Sequence, residues 1–286
     1  MTSPYQVISF FEFKKMNAIG ELPEIRESVL AAFRQHDFFG TMIIADEGFN
    51  CTVCGPPANT AAFVADLEQV LATTLVYKSS FSEDKILRKQ EVKIKPEIVT
   101  LRQKVDIEKG RDTFVKPKDW NAVISRPDVF VLDTRNHYEY KSGTFRGAID
   151  PNTEKFSDLP KYVEENLDPE VHKQIAMFCT GGIRCEKFAP YMKGLNFENI
   201  YQLEGGILKY LEEIPAEENL FEGECFVFDE RRTVDENLAP AYGEDHSLRH
   251  PESDPRSGSS SQETDESRST DDDLHQITLH SDLPKT

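Results

Sequence analysis

The hydrophobic pattern at the start of the chain switches repeatedly between a strand period and a helix period. Tyr5–Phe11 is a run rich in β-formers. Leu22, Ile25, Val29, Leu30 and Phe33 then recur every three or four positions, a helical stripe. Thr41–Ala45 and Asn50–Cys54 are short apolar runs on either side of the turn-forming Asp46-Glu47-Gly48. Ala62, Phe63, Leu67, Val70 and Leu71 make a second stripe, and Glu91–Val99 reads as a closing strand. The order βαββαβ is that of a ferredoxin/acylphosphatase-like split unit over 1–100, with an antiparallel sheet and both helices on one face.

After a basic connector over 101–117 the pattern changes. Val129–Leu132, Ile175–Phe178 and Ile200–Leu203 are short, fully apolar runs, as expected of strands buried on both faces. Helical patterns lie between and after them at Phe156–Leu167, Glu186–Met192 and Ile207–Leu211. Asn136 with Glu139 three residues later fits a capping-box helix start. Strands alternating with helices over 118–217 predict a parallel α/β domain, whose ligand belongs at the carboxyl ends of the strands. A short extension covers 218–243. From 244 to 286 the chain is Ser, Asp, Glu, His and Pro with almost no aromatics, which predicts a disordered acidic tail.

Composition adds two points. The chain of 286 residues has 33 Lys and Arg against 51 Asp and Glu, a net charge of −18 that speaks against a nucleic-acid partner. The charge is uneven, however. Residues 78–118 hold 12 bases and 7 acids, a local balance of +5, while 244–286 hold 11 acids and 4 bases, a balance of −7. Taken alone, such a basic band fits a solvated linker and an edge strand. No apolar run reaches the roughly 18 residues of a membrane span, and the N-terminus lacks the pattern of a secretory signal. With five cysteines, an odd number, the expectation is a cytoplasmic protein with reduced thiols and no membrane association.

Chemistry concentrates in Phe178-Cys179-Thr180-Gly181-Gly182-Ile183-Arg184-Cys185-Glu186. A buried strand ends at Cys179, small flexible residues follow, and a helix begins after Arg184. Two glycines let successive amides face inward as an anion nest, the helix adds its positive end, and Arg184 adds a permanent charge. All of these favour a thiolate, so Cys179 is expected to be a nucleophile of lowered pKa, with Thr180, Gly181, Gly182, Ile183 and Arg184 forming its anion loop. Cys179 to Arg184 is C-x4-R, one residue shorter than the C-x5-R of cysteine phosphatases. The narrower ring suits a terminal sulfur on the cysteine, a persulfide.

Asp133-Thr134-Arg135, Tyr138-Glu139-Tyr140, Gly143, Gly147-Ala148 and the Cys179–Arg184 loop resemble a rhodanese domain. Extended to Asp133–Tyr140, Gly143–Ala148, Cys179–Lys187 and Glu224-Cys225-Phe226-Val227-Phe228-Asp229, the pattern is similar to one subgroup, the TrhO (YceA) family of tRNA uridine 5-hydroxylases. Ala45-Asp46-Glu47-Gly48-Phe49-Asn50 and Pro96-Glu97-Ile98-Val99-Thr100 fit the same family, so the resemblance spans residues 5–232. It implies an oxidoreductase that converts the wobble uridine of tRNA to 5-hydroxyuridine with molecular oxygen as co-substrate. It also implies that Cys179 is the active residue, through a persulfide intermediate. Read with the family, the basic 78–118 region becomes a candidate contact for the phosphates of the anticodon loop, whose splayed bases suit chemistry at a wobble position.

The sequence departs from the family twice. Where many members carry a Cys-x-x-Cys-Gly element, this chain has Tyr242-Gly243-Glu244-Asp245-His246, which leaves Cys225 unpartnered; and Cys51 stands where Gly is expected. Cys51-Thr52-Val53-Cys54 is a CxxC, but residues three apart on a strand face opposite ways, and no second ligand pair follows, so no metal is expected. His137-Tyr138-Glu139 has the His-x-acid start of an iron triad, yet it sits at a helix start where the rhodanese pattern already accounts for Glu139. Cys185 reads as a small residue of the first helical turn, and is also a candidate second thiol, able to resolve an oxidised Cys179 as a disulfide. No nucleotide-binding loop is present, so no cofactor is evident. Two other readings stay open: a sulfurtransferase that moves sulfane sulfur through a Cys179 persulfide, and a non-enzymatic scaffold whose acidic tail recruits a partner.

Overall fold

The computed structural model describes residues 4–227, 231–236 and 238. The tail from 244 and the Tyr242–His246 stretch lie outside the described residues. In the N-terminal domain the elements are β1 (Tyr5–Phe13), α1 (Leu22–Gln35), β2 (Phe39–Ala45), β3 (Gly48–Gly55), α2 (Thr60–Leu71), β4 (Lys78–Ser82) and β5 (Gln90–Ile94). They form one sheet of order β4-β1-β3-β2-β5. The α1 and α2 stripes pack on one face, where Val29, Phe33, Phe63 and Leu67 meet Ile8, Met42, Phe49 and Val53. Ala62, placed in the stripe by its spacing, is exposed.

Two expectations are corrected here. The strand that closes the split unit is β4, antiparallel to β1, and not Glu91–Val99. Gln90–Ile94 is an additional strand that pairs parallel to β2, so the sheet is mixed and not purely antiparallel, and 95–99 leaves it. β4 escaped the pattern because it is an edge strand: Lys-Ser-Ser-Phe-Ser is held by main-chain bonds to β1 and buries only Ser82, leaving Phe81 exposed. Cys51 and Cys54 do face opposite ways, Cys51 among the helix-side core and Cys54 in a small cluster with Val7 and Ile86.

The second domain contains β6 (Phe114–Val115), α3 (Pro117–Ile124), β7 (Phe130–Asp133), α4 (His137–Ser142), β8 (Gly143–Phe145), α5 (Leu159–Asn166), β9 (Gln174–Phe178), α6 (Ile183–Gly194), β10 (Asn199–Leu203) and α7 (Gly206–Glu213). Its sheet, order β6-β10-β9-β7, is parallel throughout. Alternate residues of β9 feed two cores. Ala176 and Phe178 join Trp120 of α3 and Ile207 of α7, while Ile175 and Met177 join Val163 of α5 and Phe188 of α6. The 101–117 segment is more than a connector, since β6 is an edge strand of this sheet and Gln202 anchors it by donating to Gly110 O (3.0 Å) and Thr113 Oγ1 (2.8 Å). After α7, β11 (Phe221–Gly223) pairs antiparallel with β8, and β12 (Cys225–Phe226) pairs with β13 (Thr233–Val234).

The second face of the first sheet meets the second domain. Phe11, Phe13 and Ala45 pack with Ile98, Ile107 and Ile183, the residue that opens α6. One turn further along α6, the Lys187 side chain is 1% exposed. Its ammonium donates to both Glu47 oxygens (2.7 and 2.8 Å), to Glu97 Oε2 (2.6 Å) and to Val99 O (3.0 Å). Glu47 Oε1 also accepts from Ile98 N (2.8 Å), and Glu97 from Leu101 N (2.9 Å). The Asp46–Gly48 turn and the Pro96–Val99 segment, far apart in sequence, are thus assembled around one lysine of the other domain. Burial raises the Glu97 carboxyl, but the Lys187 hydrogen bond, the Leu101 amide and the Lys187 charge outweigh it and hold the group below its ordinary value.

Removing that cation leaves two carboxylates facing each other, and breaking a buried ion pair costs about 3–5 kcal/mol. Lys187→Met should therefore lower the urea unfolding free energy by about 3 kcal/mol. A midpoint equal to wild type would show that this contact contributes nothing to stability.

Candidate active site

The site is built at the carboxyl ends of β7 and β9. β9 delivers Cys179 with no exposure of its side chain, and the loop that follows turns back beneath it. Gly182 makes that turn possible: its φ of +102° lies in the left-handed region, and from there its N–H donates to Cys179 Sγ at 3.1 Å. The first turn of α7 holds the other side of the chain, with Ile207 N donating to Cys179 O (3.0 Å) and Leu208 N to Thr180 O (3.1 Å). That approach requires glycine at 206. With φ +69°, a Cβ there would stand 2.4 Å from Cys179 O and 2.7 Å from Thr180 O.

Two buried ion pairs frame the loop. Glu139, on the first turn of α4, takes Arg184 in a bidentate grip of 2.6 and 2.8 Å and accepts from Thr180 Oγ1 at 3.2 Å. Burial raises Glu139, but the Arg184 charge and hydrogen bond, then Arg135 and the Asn136 amide, bring its carboxyl below the ordinary value. Next to it, Asp133 at the end of β7 binds Arg135 (2.7 and 2.9 Å) and accepts from Thr144 Oγ1 (3.0 Å). Arg135 also donates to Gly143 O, which ties β8 to the site.

The electrostatics separate the two thiols of the loop. Burial pushes the Cys179 thiol up. The hydrogen bond from the Cys185 thiol, the Arg184 charge and the amides of Cys185 and Gly182 more than reverse this, so Cys179 lies well below the ordinary thiol value. Cys185 is driven well above it, by burial first and then by its bond to Cys179. Thr134 Oγ1, which donates to Phe178 O (2.8 Å), lies 3.4 Å from Cys185 Sγ. The pair is therefore one sulfur that carries charge and one that carries a proton, within hydrogen-bonding reach of each other.

The sequence-predicted residues do come together, with altered parts. α6 starts at Ile183, so Ile183 and Arg184 belong to the helix rather than to the loop before it. The amides on the sulfur are those of Gly182 and Cys185; Thr180 contributes its hydroxyl to Glu139, and the Ile183 side chain packs toward the first domain. Arg184 faces Glu139 and acts on Cys179 by its charge. At the α4 start Asn136 and Glu139 stand as the expected capping box, with Asn136 N donating to Glu139 Oε2 (3.1 Å). His137 turns away from Glu139 and pairs with Asp150 (2.6 Å). Cys225 is buried in β12, its thiol pushed up to about 12 by burial. No disulfide joins any of the five cysteines, and among the described residues no group of three or more His, Cys, Asp and Glu could hold a metal ion. No helix among them is long and apolar enough to cross a membrane.

Sequence reasoning missed the role of Glu139 as the partner of Arg184, the Lys187 contacts, and Lys78 of β4, whose ammonium donates to Gly181 O at 2.6 Å. The first shows only as an N3 acidic residue; the others carry no local signal, because their partners lie in the other domain.

Residues 5–98 match the UPF0176 acylphosphatase like domain, and residues 116–213 match the rhodanese-like domain. The fold and site are thus those of a two-domain rhodanese protein. With this pair of domains in this order, the chain belongs to the TrhO/YceA (UPF0176) family. Among solved structures it is similar to the rhodanese-like domain of an Anabaena protein (18% identity over 49% of this chain and 92% of that one, TM-score 0.34). It is also similar to a rhodanese-related protein of Thermoplasma volcanium (25% identity over 35% and 90%, TM-score 0.28) and to a full-length protein of Lactobacillus plantarum (20% identity over 39% and 88%, TM-score 0.31).

Glu139→Gln removes the charge that Arg184 grips. It should destabilise the chain by about 3 kcal/mol at neutral pH. The sign of the pH dependence follows from the lowered carboxyl. Its stabilisation is complete above the unfolded carboxyl range and is lost as pH falls through the folded value, so the gap between variant and wild-type urea midpoints should close in acid. A gap that widens on acidification would contradict this assignment.

Proposed function

We propose that this chain hydroxylates the wobble uridine of tRNA to 5-hydroxyuridine, with molecular oxygen as co-substrate and Cys179 as the reacting thiol. The observation that carries the reading is the buried Cys179 sulfur, held as an anion by two amides, a neighbouring thiol and the Arg184 charge in a chain of this family. A thiolate of that kind is a ready nucleophile and the natural bearer of a terminal sulfur. Cys185, in contact with it, is the second thiol of the site. The anion loop comprises Thr180, Gly181, Gly182, Ile183 and Arg184.

The partner in this reading is the anticodon loop of tRNA. Of the 12 bases in 78–118, all but Lys78 and Lys85 are exposed, as phosphate contacts require. Arg102 and Lys104 stand beside Pro96–Glu97, next to the segment that meets the second domain. A wobble base is unpaired in the free loop, so carrying it to a buried sulfur costs less than extracting a paired base.

The test is mass spectrometry of nucleosides from tRNA of a host lacking its own uridine 5-hydroxylase. Wild type should restore 5-hydroxyuridine in aerated culture, and Cys179→Ala should abolish it. If Cys179→Ala restores the modification as well as wild type, the cysteine role fails. If wild type forms none but turns over thiosulfate rapidly without tRNA, the protein is a sulfurtransferase.

A further inference from the structure

One cation near the site remains unassigned. Lys78 opens β4 in the N-terminal domain, paired in register with Ser9 of β1. Its side chain crosses to the second domain, where the ammonium donates to Gly181 O (2.6 Å) and to Gly205 O. The nearest heavy atom to a Cβ built on Gly181 is this same nitrogen, at 3.5 Å. Lys78 is partly buried, and both of its acceptors are neutral carbonyls. A desolvated ammonium without a carboxylate is expensive to hold unless another negative charge lies near.

The charges around it identify that anion. α7 presents Lys209, engaged by Glu204 and Glu213, and Glu212; β12 presents Cys225; the loop presents Cys179. Arg231, after β12, reaches Ser80 of the same strand face (3.0 Å). Burial, with the Lys209 charge adding to it, brings the Lys78 ammonium down to about 8, against the pull of Cys179 first, then Cys225 and Glu212. Since Cys225 is protonated at neutral pH, Cys179 is the sulfur anion in this group.

The geometry adds a direct link. Gly181 C=O and Gly182 N–H belong to one trans peptide unit, and so point in opposite directions. The N–H donates to Cys179 Sγ (3.1 Å) and the carbonyl accepts from Lys78 (2.6 Å). Lys78 therefore grips the back of the peptide whose front holds the sulfur. A cation on the carbonyl fixes the orientation of that peptide and strengthens its N–H as a donor.

We propose that Lys78 is a positioning residue for Cys179: it acts through the Gly181–Gly182 peptide and supplies the counter-charge to the sulfur anion, so the thiol is fully activated only when the N-terminal domain is docked. This rests on the reading of Cys179 as the reacting anion, and the experiment separates the two. In the full chain, the thiolate absorbance near 240 nm is titrated as the difference from Cys179→Ser, for wild type, Lys78→Met, Lys78→Gln and Lys78→Arg, with urea midpoints in parallel. Wild type should titrate below the ordinary thiol value of about 8.5. Lys78→Met should raise the midpoint by about one unit, a roughly tenfold lower thiolate-to-thiol ratio at a given pH, and Lys78→Arg should stay near wild type. Lys78→Gln keeps a donor without the charge and should also titrate higher; it stands in if the Met variant does not fold. If wild type titrates near the ordinary value, the reading of Cys179 itself fails. If wild type is low and neither neutral variant moves, Lys78 is a structural clamp and the proposal is overturned.

Discussion

A sulfur anion sealed from water has to be balanced by protein dipoles and cations, or it takes up a proton. That requirement organises everything around Cys179. Its own segment supplies the Gly182 and Cys185 amides and the Cys185 thiol. Arg184 supplies charge, but an unpaired guanidinium would itself be too costly in so buried a place, so Glu139 neutralises it in turn. Glu139 is then fixed by the α4 start, and Asp133 with Arg135 fixes the strand end and β8 alongside. Each buried charge calls for the next, from the Cys179 loop through α4 to the end of β7 and to β8.

This explains which parts were legible in the sequence. The cysteine loop, from Cys179 to Arg184, is contiguous, and the chemistry of its residues could be read from their order alone. Strands β7, β9 and β10 were legible because both of their faces are largely apolar. β4 was not, since an edge strand bonded on one side needs no apolar pattern. Nor was the partner of Arg184, 45 residues away, or that of Gly181, 103 residues away. A capping pattern marked Glu139 as the start of a helix and hid its larger task. The Glu47 turn and the Pro96–Val99 segment fitted the family resemblance without any visible reason, which appears only when Lys187 is seen between them.

The loop also shows how a short motif divides its work. Only Gly182 uses the conformational freedom of glycine; Gly181 serves through its carbonyl, which accepts from Lys78. Ile183 turns to the first domain and packs with Phe11 and Phe13. The motif thus looks in two directions, inward to the sulfur and outward to the neighbouring sheet.

Ile183 and Lys187 lie on the same side of α6, one turn apart, and both are seated by the N-terminal domain. A chimera that grafted Cys179–Lys187 onto a single-domain scaffold would carry over the thiol and its arginine, but not the two glutamates or the packed sheet that set the helix. The transplanted cysteine would keep the spelling of the motif while losing half of its walls.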